Sequence, residues 1–448
     1  MAKTAALEVS VGEEGPVRSS NPRRLAATAL YCCVLFVQGN CVNILGPAGP
    51  TLTASMHTSL ESVGNVLSAE GAGGMLGASL IAYMLERHSG HVIICRAGLL
   101  LSAVLCSTLL CSSIGHVALA YFVVGACLSL CSGVSNTLVS WVQSGRNVGP
   151  WVCMVNASFG LGSSSAPIFF LQVVRRAGNG MLAFASLGVL AALFALMAAL
   201  LPSPRPPPAA EEALHASPLR MIGSAKGGST LMGIDLGSRS TYVRVTVVVP
   251  FMLALTLGIG GEIAFGAWIY SYATERVGMA SSDAGLLNAL YWCTFTVGRL
   301  GTIPLAAMLT PELLLLPTVA LESTVALLVL CRPDSAPLLF TATVGAGIGV
   351  CALYSNTLSL LASYDLLNPQ AVSMLQLACG VGHMTIPNGV ALVMRHSNLG
   401  HDALFYVLAV TNAMTLAIVA AVVAHLRQNF QPAKGSIREA QLAAKREL

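Results

Sequence analysis

Residues 125–138 read GACLSLCSGVSNTL, and residues 345–358 read GAGIGVCALYSNTL. Gly125, Ala126, Cys131, Ser135, Asn136, Thr137 and Leu138 of the first stretch recur as Gly345, Ala346, Cys351, Ser355, Asn356, Thr357 and Leu358 of the second, 220 residues on. In a chain of 448 residues that offset is close to half the length. Two further matches hold the same order. Gly74, Leu76, Gly77, Ala82, Met84 and Leu85 return as Gly298, Leu300, Gly301, Ala306, Met308 and Leu309. Met154, Asn156, Gly160, Gly162 and Pro167 return as Met374, Gln376, Gly380, Gly382 and Pro387. One such match in a Gly- and Ala-rich chain carries little weight, but three in order at nearly one offset identify an internal duplication.

Around these matches the chain is apolar almost throughout. Its residues are 55% hydrophobic and 9% charged, against about 25% charged in ordinary soluble domains. The mean hydropathy is +0.74, which excludes a water-soluble fold. A helix of about 20 apolar residues crosses a hydrocarbon core of roughly 30 Å and satisfies its own backbone. Such runs predict helices near 26 to 48, 62 to 85, 91 to 113, 116 to 142, 150 to 173 and 180 to 202. Six more follow near 244 to 271, 283 to 309, 312 to 331, 336 to 363, 367 to 394 and 402 to 426. Between the two sets, Pro204, Pro206, Pro207 and Pro208, then Glu211, Glu212, Arg220 and Lys226, have linker composition.

The expected organisation is a tail at 1–25, a six-helix bundle at 26–202, a Pro-rich linker at 203–243, a second six-helix bundle at 244–426 and a tail at 427–448. With the N-terminus in the cytosol, 18 of the 23 Lys and Arg residues fall on inside segments. Only Arg175, Arg176, Arg276, Arg332 and Arg395 fall outside, so this bias predicts both termini in the cytosol. Two six-helix halves share one orientation, as parallel repeats related by an axis along the membrane normal. The expected fold class is an all-α membrane protein of twelve transmembrane helices in two such repeats, lodged in the plasma membrane or an organelle membrane. The first 25 residues lack the apolar core of a secretory signal.

Other classes fit poorly. Basic residues are scattered without interleaved aromatics, which argues against nucleic acid as a partner. The 13 cysteines lie mostly inside apolar runs without the paired spacing of a zinc site, so no metal or cofactor is expected. No His-x-x-Glu-His-like or Gly-x-Ser-x-Gly-like pattern stands out for an intramembrane enzyme. The partners expected are a small-molecule solute and the lipid bilayer, and a monomer suffices.

In this architecture, that of the major facilitator type, a solute site lies near the bilayer midplane between the repeats. Asn136 and Asn356 hold equivalent positions and offer amides suited to hydroxyl groups, or bond neighbouring helices. Asn156 and Gln376 form a second symmetric pair, and Gln38 in the first predicted helix adds another amide. Intramembrane ionisable residues are functional candidates. Glu70 and Glu262 are the sharpest, either for coupling to Na+ or a proton or for accepting bonds from a sugar-like solute, with Glu322 and His383 behind them. Trp268 stands either in an interfacial aromatic belt or against a sugar face. Gly77, Glu86, Arg87, Gly298 and Arg299 read as parts of an inner gate, the glycines allowing close approach and the charges latching at the cytosolic surface.

Three groups of residues carry a family resemblance. They are Asn43, Ile44, Leu45, Gly46 and Pro47 with Gly49, Pro50, Thr51 and Leu52; Gly261, Glu262, Gly266, Trp268, Tyr272 and Ala273; and Tyr291, Trp292, Gly298 and Arg299. On these the chain resembles the fucose/proton symporter and sodium-dependent glucose transporter branch of the major facilitator superfamily. The resemblance implies a secondary transporter for a hexose-like sugar. It also implies a membrane-embedded carboxylate at two positions, which here are Asn43 and Ser132. Neither side chain ionises, so Glu70 or Glu262 would have to carry any coupling. A transporter of a nucleoside, amino acid or organic anion, or a solute sensor on the same fold, stays open.

Overall fold

The computed structural model describes residues 22–58, 60–207 and 239–433, together with 436, 437 and 439. The first tail up to residue 21, with Arg18, lies outside the described residues. So do the linker's Pro208, Glu211, Glu212, Arg220 and Lys226, and the chain beyond residue 439.

The described chain is helical from end to end. In the first half, α1 (Pro22–Asn43) runs into α2 (Leu45–Ser55), followed by α3 (Leu60–Arg87), α4 (Gly90–Ser107), α5 (Ile114–Val142), α6 (Gly149–Ala177) and α7 (Met181–Leu200). The second half holds α8 (Val249–Ser271), α9 (Ser281–Met308), α10 (Pro311–Cys331), α11 (Ala336–Val350), α12 (Leu353–Ala362), α13 (Pro369–His396) and α14 (Ala403–Asn429). A short helix at Arg239–Val243 and a π-turn at Arg244–Val248 lead into α8. Ten described segments, α1–α2 and α11–α12 each counting as one, are long and apolar enough to cross a membrane. The remaining two, α3 and α9, are each 28 residues long and complete twelve.

Two predicted helices are interrupted, for different reasons. Pro47 has no N–H to return to the Asn43 carbonyl, so the first helix breaks at Ile44 and resumes as α2. The tenth breaks at Cys351 and Ala352, where no proline stands. The Cys351 carbonyl released there accepts from Arg299 Nε at 2.9 Å, so a buried side chain replaces the lost helical bond.

The duplication reappears as matched backbone contacts. A Cβ on Gly162 of α6 would stand 2.1 Å from the Phe36 carbonyl oxygen of α1, and one on Gly382 of α13 would stand 2.2 Å from the Thr256 carbonyl oxygen of α8. Gly162 and Gly382 are repeat mates, and Phe36 and Thr256 differ by the same 220 positions. Each half therefore closes its own helix pair through the same small-residue approach.

The halves meet along α6 with α9 and α3 with α13. Ser164 Oγ and Thr296 Oγ1 are 2.7 Å apart, and Ser373 Oγ donates to the Ala78 carbonyl. Toward the end where α1 begins and α14 ends, Asn147 Nδ2 donates to the Ala306 carbonyl at 2.9 Å. There the chain after α14 also crosses back, Ala433 N donating to the Ser363 carbonyl at 2.8 Å. This tail-side end is shut. The opposite end opens into a central cavity whose rim includes the exposed Gly46, Leu67 and Ala267.

Candidate functional site

The cavity has a volume of about 490 Å³ and is lined by both halves, within the size range of small-molecule sites. The first half supplies Gln38 and Asn43 from α1, Glu70 from α3, Ser129, Ser132 and Asn136 from α5, and Asn156 and Phe159 from α6. From the second half come Glu262 on α8, Asn288, Trp292 and Arg299 on α9, Tyr354 on α12, and Gln376, Cys379 and His383 on α13.

The amides are held in place by helix carbonyls and by one another. Asn156 Nδ2 donates to Asn136 Oδ1 at 2.8 Å and to the Val152 carbonyl at 2.9 Å, while Asn136 Nδ2 donates to the Ser132 carbonyl at 3.0 Å. Asn43 Nδ2 reaches Ser163 Oγ at 2.9 Å. Tyr354 donates its hydroxyl to Gln376 Oε1 at 2.7 Å, and Asn288 Nδ2 donates to the Gly266 carbonyl at 2.7 Å. These bonds fix the orientation of the amide side chains that line the cavity.

Two carboxylates, Glu70 and Glu262, and two basic side chains, Arg299 and His383, share the cavity. Glu70 is 8% exposed and Glu262 4%. Glu262 Oε2 is buried with no hydrogen-bond partner among the described residues. Arg299 is 9% exposed, and it attracts Glu262. Its Nε donates to the Cys351 carbonyl at 2.9 Å and its Nη1 to the Asn156 carbonyl at 3.0 Å, so it ties the two halves together. Phe295 and Phe159 cover the guanidinium at 4.2 and 5.2 Å, an arrangement in which cation–π attraction adds to the hydrogen bonds.

Several expectations are corrected. Arg299, expected as a latch at the cytosolic surface, lies instead at the cavity wall, where the helix break at Cys351 gives it a carbonyl partner. Asn356, although the repeat mate of Asn136, is fully buried away from the cavity, where Cys153 Sγ donates to its Oδ1 at 3.7 Å. The interruption between α11 and α12 turns that face, and Tyr354 stands in its place at the wall. Trp268 is likewise off the cavity. Its indole N–H donates to the Pro387 carbonyl at 3.1 Å, and Trp292, packed against Gly266, presents the aromatic wall instead.

Gly77 and Gly298 pack within their own halves rather than across a gate. A Cβ on Gly77 would lie 2.1 Å from the Ala126 carbonyl oxygen, and one on Gly298 would lie 2.7 Å from Cys351 Sγ. Arg87 bonds the Tyr83 hydroxyl and stacks on that ring, and Glu86 is not its ion-pair partner among the described residues. Tyr354 and Asn288, which also line the cavity, do not stand out in the sequence as solute contacts. The signal for Tyr354 was present, since it interrupts the second copy of the repeat just before Ser355 and Asn356.

Residues 31–387 match the Major Facilitator Superfamily, and the chain belongs to that family of multi-pass membrane transporters. Among curated proteins it is 29% identical over 159 residues to sodium-dependent glucose transporter 1A of Mus musculus, covering 35% of this chain and 37% of the relative. It is 21% identical over 375 residues to sodium-dependent glucose transporter 1 of Xenopus laevis, covering 78% and 72%. Over the first of the curated relatives it matches, the chain spans only between 23% and 37% of their length. The fold is shared with the proton:xylose symporter XylE (TM-score 0.69, 13% identity, 93% of this chain and 97% of the other). It is shared also with the human organic anion transporter MFSD10 (0.69, 14%, 90% and 100%) and with FucP in the outward conformation (0.64, 13%, 89% and 99%).

Proposed function

We propose that this transporter moves a hexose-like sugar by alternating access, with both termini in the cytosol and the cavity open to the opposite side. The observation that carries this reading is the lining of the cavity. Amides from both halves, the Tyr354 hydroxyl and the flat face of Trp292 converge on one chamber, the donors, acceptors and stacking surface that a polyhydroxylated ring uses. The names of the similar glucose and xylose transporters point the same way. In this conformation Arg299 and Asn147 bridge the halves toward the tail side. Inward opening has to break those bonds, and solute binding shifts the balance between the two states.

With Asn43 and Ser132 unable to ionise, Glu70 and Glu262 are the coupling carboxylates of this proposal. Uptake of radiolabelled glucose, fucose and other solutes into proteoliposomes, with and without Na+ and proton gradients, tests it. Saturable sugar uptake supports the reading, and loss of its gradient response in Glu262→Gln or Glu70→Gln identifies the coupling group. Uptake of another solute class with none of any sugar sinks it.

One observation favours a second reading. Arg299 places a buried cation at the cavity wall, which suits an organic anion. Uptake of organic anions in the same panel, abolished by Arg299→Gln, selects that alternative.

A further inference from the structure

Behind the cavity, the second half holds acceptor oxygens that the solute chamber does not use. Glu322 of α10 and Asn412 of α14 are 5% and 2% exposed, and neither lines the cavity. Glu322 Oε2, Asn412 Oδ1 and Glu262 Oε2 are all buried with no hydrogen-bond partner among the described residues. The three belong to one neighbourhood. Glu322 on α10 and Asn412 on α14 belong to helices packed against each other, and the Glu322 carboxylate repels that of Glu262. Asn412 Oδ1 lies 3.4 Å from where a Cβ on Gly261 would stand, beside Glu262 in sequence. Tyr291, whose hydroxyl donates to the Glu262 carbonyl at 3.0 Å, feels both carboxylates.

The charges do not balance. Two carboxylates share this interior with one guanidinium, and Arg299 already gives its bonds to two backbone carbonyls. A carboxylate buried without a counter-charge is strongly disfavoured, and orphaned acceptors add to the cost. Oxygen donors from carboxylates and an amide are the ligands that a hard cation takes, and with both carboxylates ionised the excess would be one negative charge.

We propose that Glu322, Asn412 and Glu262 together bind one small monovalent cation, Na+ or a proton, behind the solute cavity. Glu262 belongs to both sites and so links cation occupancy to the chamber. Glu322 and Asn412 thereby become coupling residues. The groups facing Glu322 are Glu262 from α8, Tyr291 from α9, Cys351 after α11, and the non-titrating Asn412 from α14, while Arg299 faces Glu262. The proposal takes its meaning from the transport reading, but its test needs no solute.

The experiment follows thermal unfolding of the purified full chain in nanodiscs, solute-free. NaCl is titrated against KCl or choline chloride at constant ionic strength, and the series is repeated across a range of pH. A bound cation raises the unfolding temperature in proportion to its occupancy. Stabilisation by Na+ but not K+ at fixed pH identifies Na+, whereas stabilisation on lowering pH without alkali-ion dependence identifies a proton. In either case Glu322→Gln should abolish the response, Asn412→Ala should weaken the apparent affinity by about tenfold or more, and Gly389→Ala, at a position with open space around it, should retain it. No cation response in the wild-type chain, or a full response in Glu322→Gln, overturns the proposal. Should Glu322→Gln not fold, 22Na+ binding and proton release measured on the wild type decide, one ion per chain being expected and none overturning it. Failure of sugar uptake leaves these readouts untouched, so the two readings fail separately.

Discussion

Arg299 fills two structural roles with one side chain, and both depend on guanidinium geometry. Its Nε completes the broken helix at Cys351 while its Nη1 crosses to Asn156 in the other half. Charge-assisted hydrogen bonds of this kind contribute about 1.5–3 kcal/mol each, and a lysine reproduces the charge without the fork. Arg299→Lys is therefore expected to lower solute uptake by about tenfold or more, equivalent to about 1.4 kcal/mol at the transition state. Initial rates in proteoliposomes check this against the amount of inserted protein. The two tryptophans divide differently. Trp292→Ala should raise the half-saturating solute concentration by about tenfold, in line with an aromatic contact of about 1–1.5 kcal/mol. Trp268→Phe, which removes the bond to Pro387 and part of the ring's packing away from the cavity, should leave that concentration unchanged and lower the unfolding temperature.

Glycine spacing sets how closely the helices approach. At Gly162 and Gly382 a methyl group would stand 2.1 and 2.2 Å from a neighbouring carbonyl oxygen, whereas at Gly46 and Gly389 nothing lies within 4 Å. Gly162→Ala and Gly382→Ala are expected to destabilise the protein by about 1–3 kcal/mol, the range for overpacking a close interface. Gly389→Ala should be neutral or mildly stabilising, since alanine is the better helix former where space is open. Thermal unfolding in nanodiscs separates the two classes. Gly77 was legible in the sequence as a close-approach residue, but its partner was not. Spacing identifies a glycine that meets a backbone, and only packing reveals that the backbone is Ala126 of its own half.

The molecule as a whole is open at one end and shut at the other, and two of its own cysteines report which. Cys379 lines the cavity, while Cys153 is 1% exposed at the contact between halves, bonded to Asn356. In a chain whose other cysteines are replaced, a membrane-impermeant thiol reagent applied from the cavity side should label Cys379, and a transported solute should protect it. Cys153 should react only from the tail side, and only when the protein is driven inward-open. Labelling of Cys153 from the cavity side in this conformation would contradict the proposed alternation, because the barrier would then not lie where the halves meet.

Membrane residence, helical structure and duplication were legible in the sequence because each is written locally. Apolar runs of spanning length need no partner to be recognised, and an internal repeat is a property of residue order. Gln38, Asn43, Glu70, Asn136, Asn156, Glu262, Gln376 and His383, named from the sequence as solute or coupling candidates, line the cavity, in keeping with polar residues at spanning depth facing protein interiors rather than lipid. Which member of a symmetric pair reaches the cavity was not local. Successive helical residues turn through about 100°, so Tyr354 and Asn356, two positions apart on α12, point to opposite faces, and after the interruption at Cys351 and Ala352 it is Tyr354 that lines the wall. The position of Arg299 follows from the same break, because a carbonyl freed inside a membrane protein must find a donor, and packing decides which donor arrives.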